Sequence, residues 1–294
     1  MKTLLVSFVY PIIKQYLKDF FISLDNQTTE EFDTLIFDDN LSEDLKSHGY
    51  DGMTMYNTDE LNIFEVRKLI IDHSIKHNYD LLIFADADDV MANDRVEILI
   101  KSYEKSVSFF YNDLYLLSNK ETDFFKGKLP KKIENLEKIK NYNFIGMSHT
   151  ALNVRKEREN LKIMPITDRM IAYDWYVHSY LLSKGGCGKK VNTKTYYRIY
   201  SNSTAGYTNY LTDKKLRTGL KVKKYHYDFM KQFDDKYKVL LEKILLLEEK
   251  INNPDFKKKY IKYINSNYSD SVFWWENIKT LDKLEKGALN NQVQ

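Results

Sequence analysis

Short apolar runs alternate with amphipathic segments over the first hundred residues of the chain. Leu4–Val9 is a continuous apolar run of the kind found in strands that helices cover on both faces. After Pro11, apolar residues return every three or four positions, which predicts a helix that ends near Asn26. The same patterns predict strands at Thr34–Phe37, Met53–Tyr56 and Leu81–Ala85 and a helix at Ile63–His77. Strands that alternate with helices predict an α/β fold, with a mostly parallel central sheet flanked by helices.

The pattern is less regular between residues 105 and 207. Two apolar runs on either side of Asn112-Asp113 predict a hairpin whose turn is formed by these two polar residues. A charged, exposed segment, a helix and a strand are predicted further along, at Lys131–Lys140, Ala172–Leu182 and Thr195–Tyr200. We predict that these elements complete one domain over 1–207, with halves at 1–105 and 106–207.

The C-terminal part of the chain has a different character. From about Leu211 glycine almost disappears, and apolar residues follow helical spacing as far as about Leu289. We therefore predict a helical C-terminal region over 208–294.

The composition fits one large folded domain with an appendage. Of 294 residues, 43% are hydrophobic, and the net charge of +3 gives no reason to expect a nucleic-acid partner. Cys187 is the only cysteine, which excludes an internal disulfide and a zinc site with several thiolates and favours a reducing compartment. The N-terminal apolar run stops at Pro11 without a signal-peptide cleavage pattern, and no run approaches the roughly 20 apolar residues of a membrane-spanning helix. We expect a cytoplasmic protein, soluble or peripheral at the inner face of the plasma membrane.

Acidic residues follow two of the predicted strands. Asp38-Asp39 comes directly after the second strand, and Asp86-Ala87-Asp88-Asp89 comes directly after the fourth. Ligands of parallel sheets bind beyond the carboxyl ends of the strands. Carboxylates at that edge suit Mg²⁺ or Mn²⁺ together with the phosphates of a substrate. The alternative is that the acidic residues cap helices: the second cluster near Asn93–Arg95, and Asp39 or Ser42 near Leu41.

Four segments of the chain resemble, in the correct order, motifs of the family 2 glycosyltransferases. The first two are LLVSFVYPIIKQYLKDFFISLDNQTTEEFDTLIFDDNLSED and VRKLIIDHSIKHNYDLLIFADADD. The later ones are AYDWYVHSYLL and YRIYSNSTAG. Together they cover roughly residues 3–207, and jointly they are far more specific than any single motif. The resemblance implies a GT-A fold, with a nucleotide-binding half over 1–105, an acceptor half over 106–207 and an inverting, metal-assisted glycosyl transfer.

The resemblance also implies roles for individual residues. Asp174 would be the general base, Asp88 the principal metal ligand, and Asp89 a further candidate. Asp86 would contact the ribose or the water shell of the metal, and Ala87 in the same motif would also belong to the donor-binding residues. The donor nucleotide, uridine by the habit of the family, would be bordered or bound by Val9, Tyr10, Pro11, Asp39 and Arg67.

The final motif departs from the family pattern. Tyr200 stands where relatives often have a histidine, so a phosphate or metal contact would be lost unless Tyr200, Arg198 or Ser203 replaces it. His178 lies four residues after Asp174 on the same predicted helix face. A lone histidine at such a position is more often structural than catalytic.

We therefore expect an enzyme that transfers a sugar from a nucleotide-sugar donor to a glycan or lipid-linked acceptor in surface glycan biosynthesis. Phe273-Trp274-Trp275 and the nearby lysines predict helix packing, a homodimer contact or a peripheral membrane contact. A nucleotidyltransferase is a second interpretation, but Tyr10-Pro11-Ile12-Ile13 does not resemble the Gly- and Arg/Lys-rich loop expected after its first strand. A catalytically silent sugar-nucleotide-binding scaffold is a third.

Overall fold

A computed structural model describes residues 1–41, 44–58, 60–167, 169–199 and 210–284. The chain forms two compact units. The first comprises Met1–Asn135, Ile145–Asp168 and Lys184–Tyr200, and the second comprises Leu136–Phe144, Arg169–Ser183 and Ser201–Gln294. The predicted domain boundary at residue 207 lies outside the described residues and stays a prediction.

The first unit contains the strands and four of the helices found in the described residues. Its strands are β1 (Thr3–Val9), β2 (Asp33–Asp38), β3 (Met53–Tyr56), β4 (Leu81–Phe84), β5 (Val90–Met91), β6 (Phe109–Leu116), β7 (Asn119–Asp123), β8 (Lys132–Ile133), β9 (Thr150–Asn153) and β10 (Gly188–Tyr197). Its α-helices are α1 (Leu17–Asp25), α2 (Ile63–Lys76), α3 (Arg95–Lys101) and α4 (Val154–Lys162).

The strands form a single sheet in the order β3-β2-β1-β4-β9-β6-β10-β5, with β7 beside β6 and β8 beside β10. The strands β3, β2, β1 and β4 are parallel neighbours, and β10 is parallel to β6. Because β9 is antiparallel to both β4 and β6, these two strands point the same way. Six of the ten strands in the described residues therefore share one direction, which confirms the predicted, mostly parallel α/β sheet.

The predicted elements of the first hundred residues are present, and local sequence explains their ends. Pro11 has no backbone N–H to lose, and a 3₁₀ turn over Pro11–Tyr16 leads into α1. Asn62 caps α2 by accepting hydrogen bonds from the second and third residues of the helix, and the Glu65 carboxylate accepts one from the Asn62 N–H in return. Such a cap contributes about 1 kcal/mol. The resulting helix leads the chain back to the start of β4.

Two predictions for the middle of the chain are wrong. Asn112-Asp113 is not a hairpin turn, because β6 runs straight through both residues and Asn112 is completely buried. The turn follows β6 at residues 117–118 and leads into β7. The charged segment Lys131–Lys140 is not wholly exposed, since Ile133 and Ile139 are completely buried.

The second unit is helical in the residues that the structure describes. Its helices are α5 (Tyr173–Ser183), α6 (Asp213–Met230), α7 (Lys236–Lys250) and α8 (Pro254–Asn267). At its centre the buried Trp175 ring on α5 stacks on His226 of α6, with ring centroids 3.9 Å apart. The predicted helical character holds to Asn267, after which only a short 3₁₀ turn at Leu281–Lys283 is regular within the described residues. None of the described helices is both long and apolar enough to cross a membrane.

Candidate functional site

The two predicted acidic positions lie at one edge of the sheet in the first unit. β1 pairs with β2 through Val9 and Asp38 and with β4 through Val6 and Phe84, so β2 and β4 end on opposite sides of β1. The chain passes from β1 to β2 and β3 on one side and returns through β4 on the other. A reversal of this kind opens a crevice beyond the carboxyl ends of the strands, where ligands of such sheets bind.

The residues Asp86–Asp89, which we call the acidic turn, carry three converging carboxylates. One carboxylate oxygen each of Asp86, Asp88 and Asp89 lies within 4.8 Å of the other two. Two negative charges at that separation repel by about 3.5 kcal/mol at an effective dielectric constant of 20. Since hard divalent cations prefer oxygen ligands of this kind, the donor set fits Mg²⁺ or Mn²⁺.

Asp89 is the buried member of the acidic turn, with 3% of its surface exposed. Its carboxylate accepts hydrogen bonds from the Ser148 hydroxyl and, at 2.7 Å, from the Arg198 backbone N–H. Burial, followed by the negative charges of Asp88 and Asp86, raises the pKa of the Asp89 carboxyl well above its ordinary value, against these two hydrogen bonds. These two hydrogen bonds come from the residue that follows β10 and from the segment before β9, which argues against the alternative that Asp89 caps α3.

Arg198 connects the acidic turn to α1 and the 3₁₀ turn before it. Besides the N–H bond to Asp89, its Nε donates to the Asp88 carbonyl at 2.8 Å. Its Nη2 donates to the Asp19 carboxylate at 2.7 Å, and its guanidinium lies 4.4 Å from the centre of the Tyr16 ring. The structure therefore brings Arg198 to the acidic turn; Tyr200 and Ser203, its predicted companions, lie outside the described residues.

Arg95, which the sequence analysis missed, is completely buried behind the acidic turn. Its Nη2 donates to the Phe84 carbonyl at 2.8 Å, and its Nε donates to the Asn112 side-chain oxygen at 3.1 Å. Burial lowers the pKa of the Arg95 guanidinium to about 10, and the charges of Asp86 and Asp89 oppose that shift. The only indication of its role in the sequence is the position of an arginine six residues after Asp89, in a segment with the pattern of an ordinary helix start.

On the other side of β1, the two neighbouring aspartates after β2 differ in burial. Asp38 is 5% exposed and accepts a hydrogen bond from the Leu41 N–H at 2.7 Å, so it stabilises the local turn. Asp39 is half-buried, its N–H donates to the Val9 carbonyl, and its carboxylate accepts from the Asn57 amide at 2.7 Å. Asp39 is therefore the member of the pair with a partly exposed carboxylate.

The other predicted nucleotide-binding residues differ in whether their side chains are accessible to a ligand. The side chains of Val9 and Ala87 are buried in the core, which leaves their backbone groups to contact a ligand. Tyr10 is half-buried, and Pro11 is exposed at the start of the 3₁₀ turn.

Arg67 lies in the second turn of α2 and is 8% exposed. Its guanidinium is 4.2 Å from the centre of the Phe8 ring, one residue before Val9 in β1. Within the described part of the chain its Nε and Nη1 make no hydrogen bond. A buried cation with unused donors is suited to bind an anion.

The predicted base, Asp174, is in the second unit at the start of α5. It is half-buried, and its carboxylate accepts from the Trp175 N–H at 2.8 Å and from the Asn143 amide at 3.1 Å. His178 is completely buried, and its Nδ1–H donates to the Asp174 carbonyl at 2.6 Å. Burial lowers the pKa of His178 to about 4, so the imidazole is neutral at physiological pH. This environment suits a structural histidine.

No protein-family model and no curated protein sequence matches the chain. Solved structures do. The glycosyltransferase TarS of S. aureus, in a crystal structure of its residues 1–349 with UDP-GlcNAc, superposes with a TM-score of 0.55 at 11% identity, over 83% of this chain and 72% of that one. The structure of the same TarS segment with UDP gives a TM-score of 0.53 at 11% identity, over 83% and 71%. A further structure of that segment covers 95% of this chain and 89% of that one, at 10% identity and a TM-score of 0.53. The chain therefore shares the fold of these glycosyltransferase structures.

Proposed function

We propose that this protein is a glycosyltransferase that moves a sugar from a nucleoside-diphosphate sugar to an acceptor hydroxyl. The observation that carries the proposal is the convergence of Asp86, Asp88 and Asp89 at the carboxyl end of β4. This convergence lies beside the strand reversal of a sheet whose fold is shared with glycosyltransferase structures. Because those TarS structures contain UDP-GlcNAc and UDP, a uridine nucleotide is the first donor to test.

The residues in and around the acidic turn would have different roles in binding the donor. Asp88, with Asp86, would hold Mn²⁺ or Mg²⁺, while the buried Asp89 fixes the shape of the turn through its hydrogen bonds to Ser148 and Arg198. A cation bound there supplies positive charge to the diphosphate that leaves. Arg198 adds a second positive charge at the same place.

The opposite side of the crevice would take the nucleoside. The partly exposed Asp39 carboxylate would accept hydrogen bonds from the base or ribose, as the family resemblance suggests. The Arg67 guanidinium, held on the Phe8 ring with unused donors, would bind negative charge on the donor.

The reaction itself would be a single inverting displacement. The oxygen of the acceptor hydroxyl attacks the anomeric carbon of the sugar, and the bond from that carbon to the diphosphate oxygen breaks. The acceptor proton passes to the Asp174 carboxylate, and the nucleoside diphosphate leaves with the bonding electrons. Asn143 and the Trp175 N–H hold that carboxylate in a fixed orientation.

The acceptor is proposed to be a glycan or lipid-linked molecule of surface glycan biosynthesis. Phe273 stacks on Tyr142 at 5.1 Å, so the aromatic cluster near the C-terminus packs inside the second unit. A peripheral contact with an anionic membrane would instead use exposed lysines of α8, namely Lys258, Lys259 and Lys262. A catalytically silent scaffold remains the second candidate, because the same carboxylates would also bind a nucleotide sugar without turnover.

The test is nucleotide release from a panel of UDP- and GDP-sugars, measured with Mn²⁺, with Mg²⁺ and with EDTA. We expect one donor to be turned over, and only with a divalent cation. The Asp174→Asn variant should bind that donor as tightly as wild type and lose transfer, whereas Asp228→Asn, which alters an aspartate paired with Lys231 elsewhere in the second unit, should be unaffected. Binding of a donor without turnover by wild type would identify the scaffold, and binding of no nucleotide sugar would overturn both candidates.

A further inference from the structure

Five buried polar residues form a continuous hydrogen-bond network inside the first unit, through their side chains and the Ser148 carbonyl. Arg95 donates to Asn112 at 3.1 Å, and the Asn112 amide donates to the Thr195 hydroxyl at 3.1 Å. The Thr195 hydroxyl donates to the Ser148 carbonyl at 3.4 Å, and the Ser148 hydroxyl donates to the Asp89 carboxylate. No member of this buried network is more than 5% exposed. The network therefore lies in the core of the first unit, and Asp89 is its member on the acidic turn.

The two ends of the buried network bracket the acidic turn. At one end Arg95 binds the carbonyl of Phe84, the last residue of β4, at 2.8 Å. At the other end Ser148 binds Asp89, the last residue of the turn. The segment that carries Asp86 and Asp88 is thus held at both ends, by Arg95 and by Ser148, and the network joins these two residues through Asn112 of β6 and Thr195 of β10. Buried polar groups often stabilise a fold less than apolar groups of the same shape would. We therefore explain this network by the segment that it holds in place, which is the acidic turn.

The charge of Arg95 suits the same purpose. Three carboxylates that converge before a cation is bound repel each other, and a turn with that repulsion would open unless something opposed it. Arg95 is a completely buried cation whose charge interacts favourably with both Asp86 and Asp89. A buried arginine also has a rigid, planar set of donors, which fixes a backbone carbonyl and an amide oxygen at the same time.

We infer that Arg95 is a positioning residue of the metal–diphosphate site: through Phe84 at one end and the buried network to Asp89 at the other, it holds the acidic turn in its cation-binding shape. This inference rests on the proposed function, because it takes the acidic turn to be a cation site. It assigns Arg95 no contact with the donor or the cation.

The test uses the whole 294-residue chain. It measures the affinity for Mn²⁺ alone, from the EPR signal of free Mn²⁺, and the affinity for UDP in the presence of Mn²⁺. Arg95→Met removes both the charge and the donors at similar volume, and it should weaken Mn²⁺ binding about tenfold, as loss of groups that orient metal ligands does. Arg95→Lys keeps the charge but not the planar donors and should also weaken binding, by less. Val96→Ala, which removes buried apolar atoms from the next residue of the same helix, should lower the melting temperature and leave Mn²⁺ affinity unchanged.

The outcomes separate positioning from other roles. If the main effect of the Arg95 charge is to repel the bound cation, Arg95→Met will bind Mn²⁺ more tightly than wild type, and that result overturns the inference. Equal Mn²⁺ affinities in wild type and Arg95→Met overturn it as well. If Arg95→Met does not fold, the nearly isosteric Thr195→Val, which breaks the network between Asn112 and Ser148, takes its place. It should weaken Mn²⁺ binding by about threefold, and an unchanged affinity counts against the inference.

Failure of the proposed function looks different. Wild-type protein that binds neither Mn²⁺ nor UDP overturns the cation site and this inference with it. Wild-type protein that binds both, with variants that bind Mn²⁺ equally well, overturns the role of Arg95 and leaves the proposed function standing.

Discussion

The two units bury ionisable groups of opposite kinds. The first unit buries an acid, Asp89, and a cation, Arg95, and joins them through hydrogen bonds that end at the acidic turn. The second unit buries the bases His178, His226 and Lys223, whose pKa values burial lowers to about 4, 3 and 7. A buried charge held by hydrogen bonds can position the residues that bind a ligand, whereas a buried base that gives up its proton is suited to packing. We therefore expect the buried polar groups of the first unit to position its ligand-binding residues and the buried bases of the second unit to serve packing.

The largest effect is expected when one substitution is made at the acidic turn of the first unit and one at a buried base of the second. Asp88→Asn keeps the shape of the acidic turn but removes one negative ligand. It should lower metal-dependent donor turnover by about a thousandfold, because a bound cation contributes several kcal/mol to the stabilisation of the leaving group. His178→Asn should do the reverse, lowering the melting temperature and sparing turnover per folded molecule. Steady-state kinetics and thermal unfolding of both variants check this. A His178→Asn protein that is fully folded but inactive would contradict the packing role of His178.

The next largest effect concerns acid stability. His178 and His226 have folded pKa values of about 4 and 3, below the 6.5 of an unfolded histidine, so the unfolded chain binds more protons between these values. Stability from these residues is present above about pH 6.5 and is lost as the pH falls. At pH 5 each should cost about 2 kcal/mol of unfolding free energy. Denaturant titrations from pH 7.5 to pH 5 measure the loss.

A matched variant isolates the histidine contribution from that of the carboxyl groups. His226→Phe keeps an aromatic ring on Trp175 and removes the titrating group. The loss of stability between pH 7.5 and pH 5 should shrink by about 2 kcal/mol in this variant relative to wild type. The same loss in both proteins would show that His226 accepts a proton without cost in the fold.

At Lys223 we expect removal of a buried charged group to stabilise the fold, whereas most substitutions of buried paired charges destabilise it. The residue is 3% exposed, its amine donates to the Ile278 carbonyl at 2.7 Å, and burial lowers the pKa of the amine from 10.5 to about 7. Stability should therefore rise as the pH increases from 7 to 10.5, since the unfolded chain binds more protons there. Lys223→Met should remove this pH dependence and raise the unfolding free energy at pH 7.5 by about 1–3 kcal/mol, after the loss of one hydrogen bond. Chemical unfolding at pH 7.5 and pH 9.5 checks both points, and a variant less stable than wild type at both would contradict them.

Much of the sheet in the first unit could be predicted from local sequence because its buried strands are short and their ends carry clear signals. The apolar run at Leu81–Ala85, followed directly by Asp86, located the acidic turn. Asn112-Asp113 was misread because a polar pair between apolar runs is a local signal for a turn. In the structure the Asn112 amide is satisfied by Arg95 and by Thr195, which is 83 residues away. No local pattern reveals such a partner.

The same limit explains what was missed at the site. The three carboxylates could be predicted because they are adjacent in the chain and follow one strand. The groups that hold them, Arg95, Ser148 and the Arg198 N–H, come from three separate segments. Arg198 was anticipated only as a substitute phosphate contact, through the family resemblance. Long-range pairing of buried polar groups is the part of the site that required a structure.

The most direct test of the central claim, that the acidic turn is a cation site for a nucleotide diphosphate, is calorimetric binding of UDP to wild-type protein with Mn²⁺ and with EDTA. We predict binding with Mn²⁺ that is at least about tenfold weaker in EDTA, because the diphosphate and three carboxylates then meet without a bridging positive charge. UDP affinity that is equal in Mn²⁺ and in EDTA, or no UDP binding under either condition, would contradict the claim.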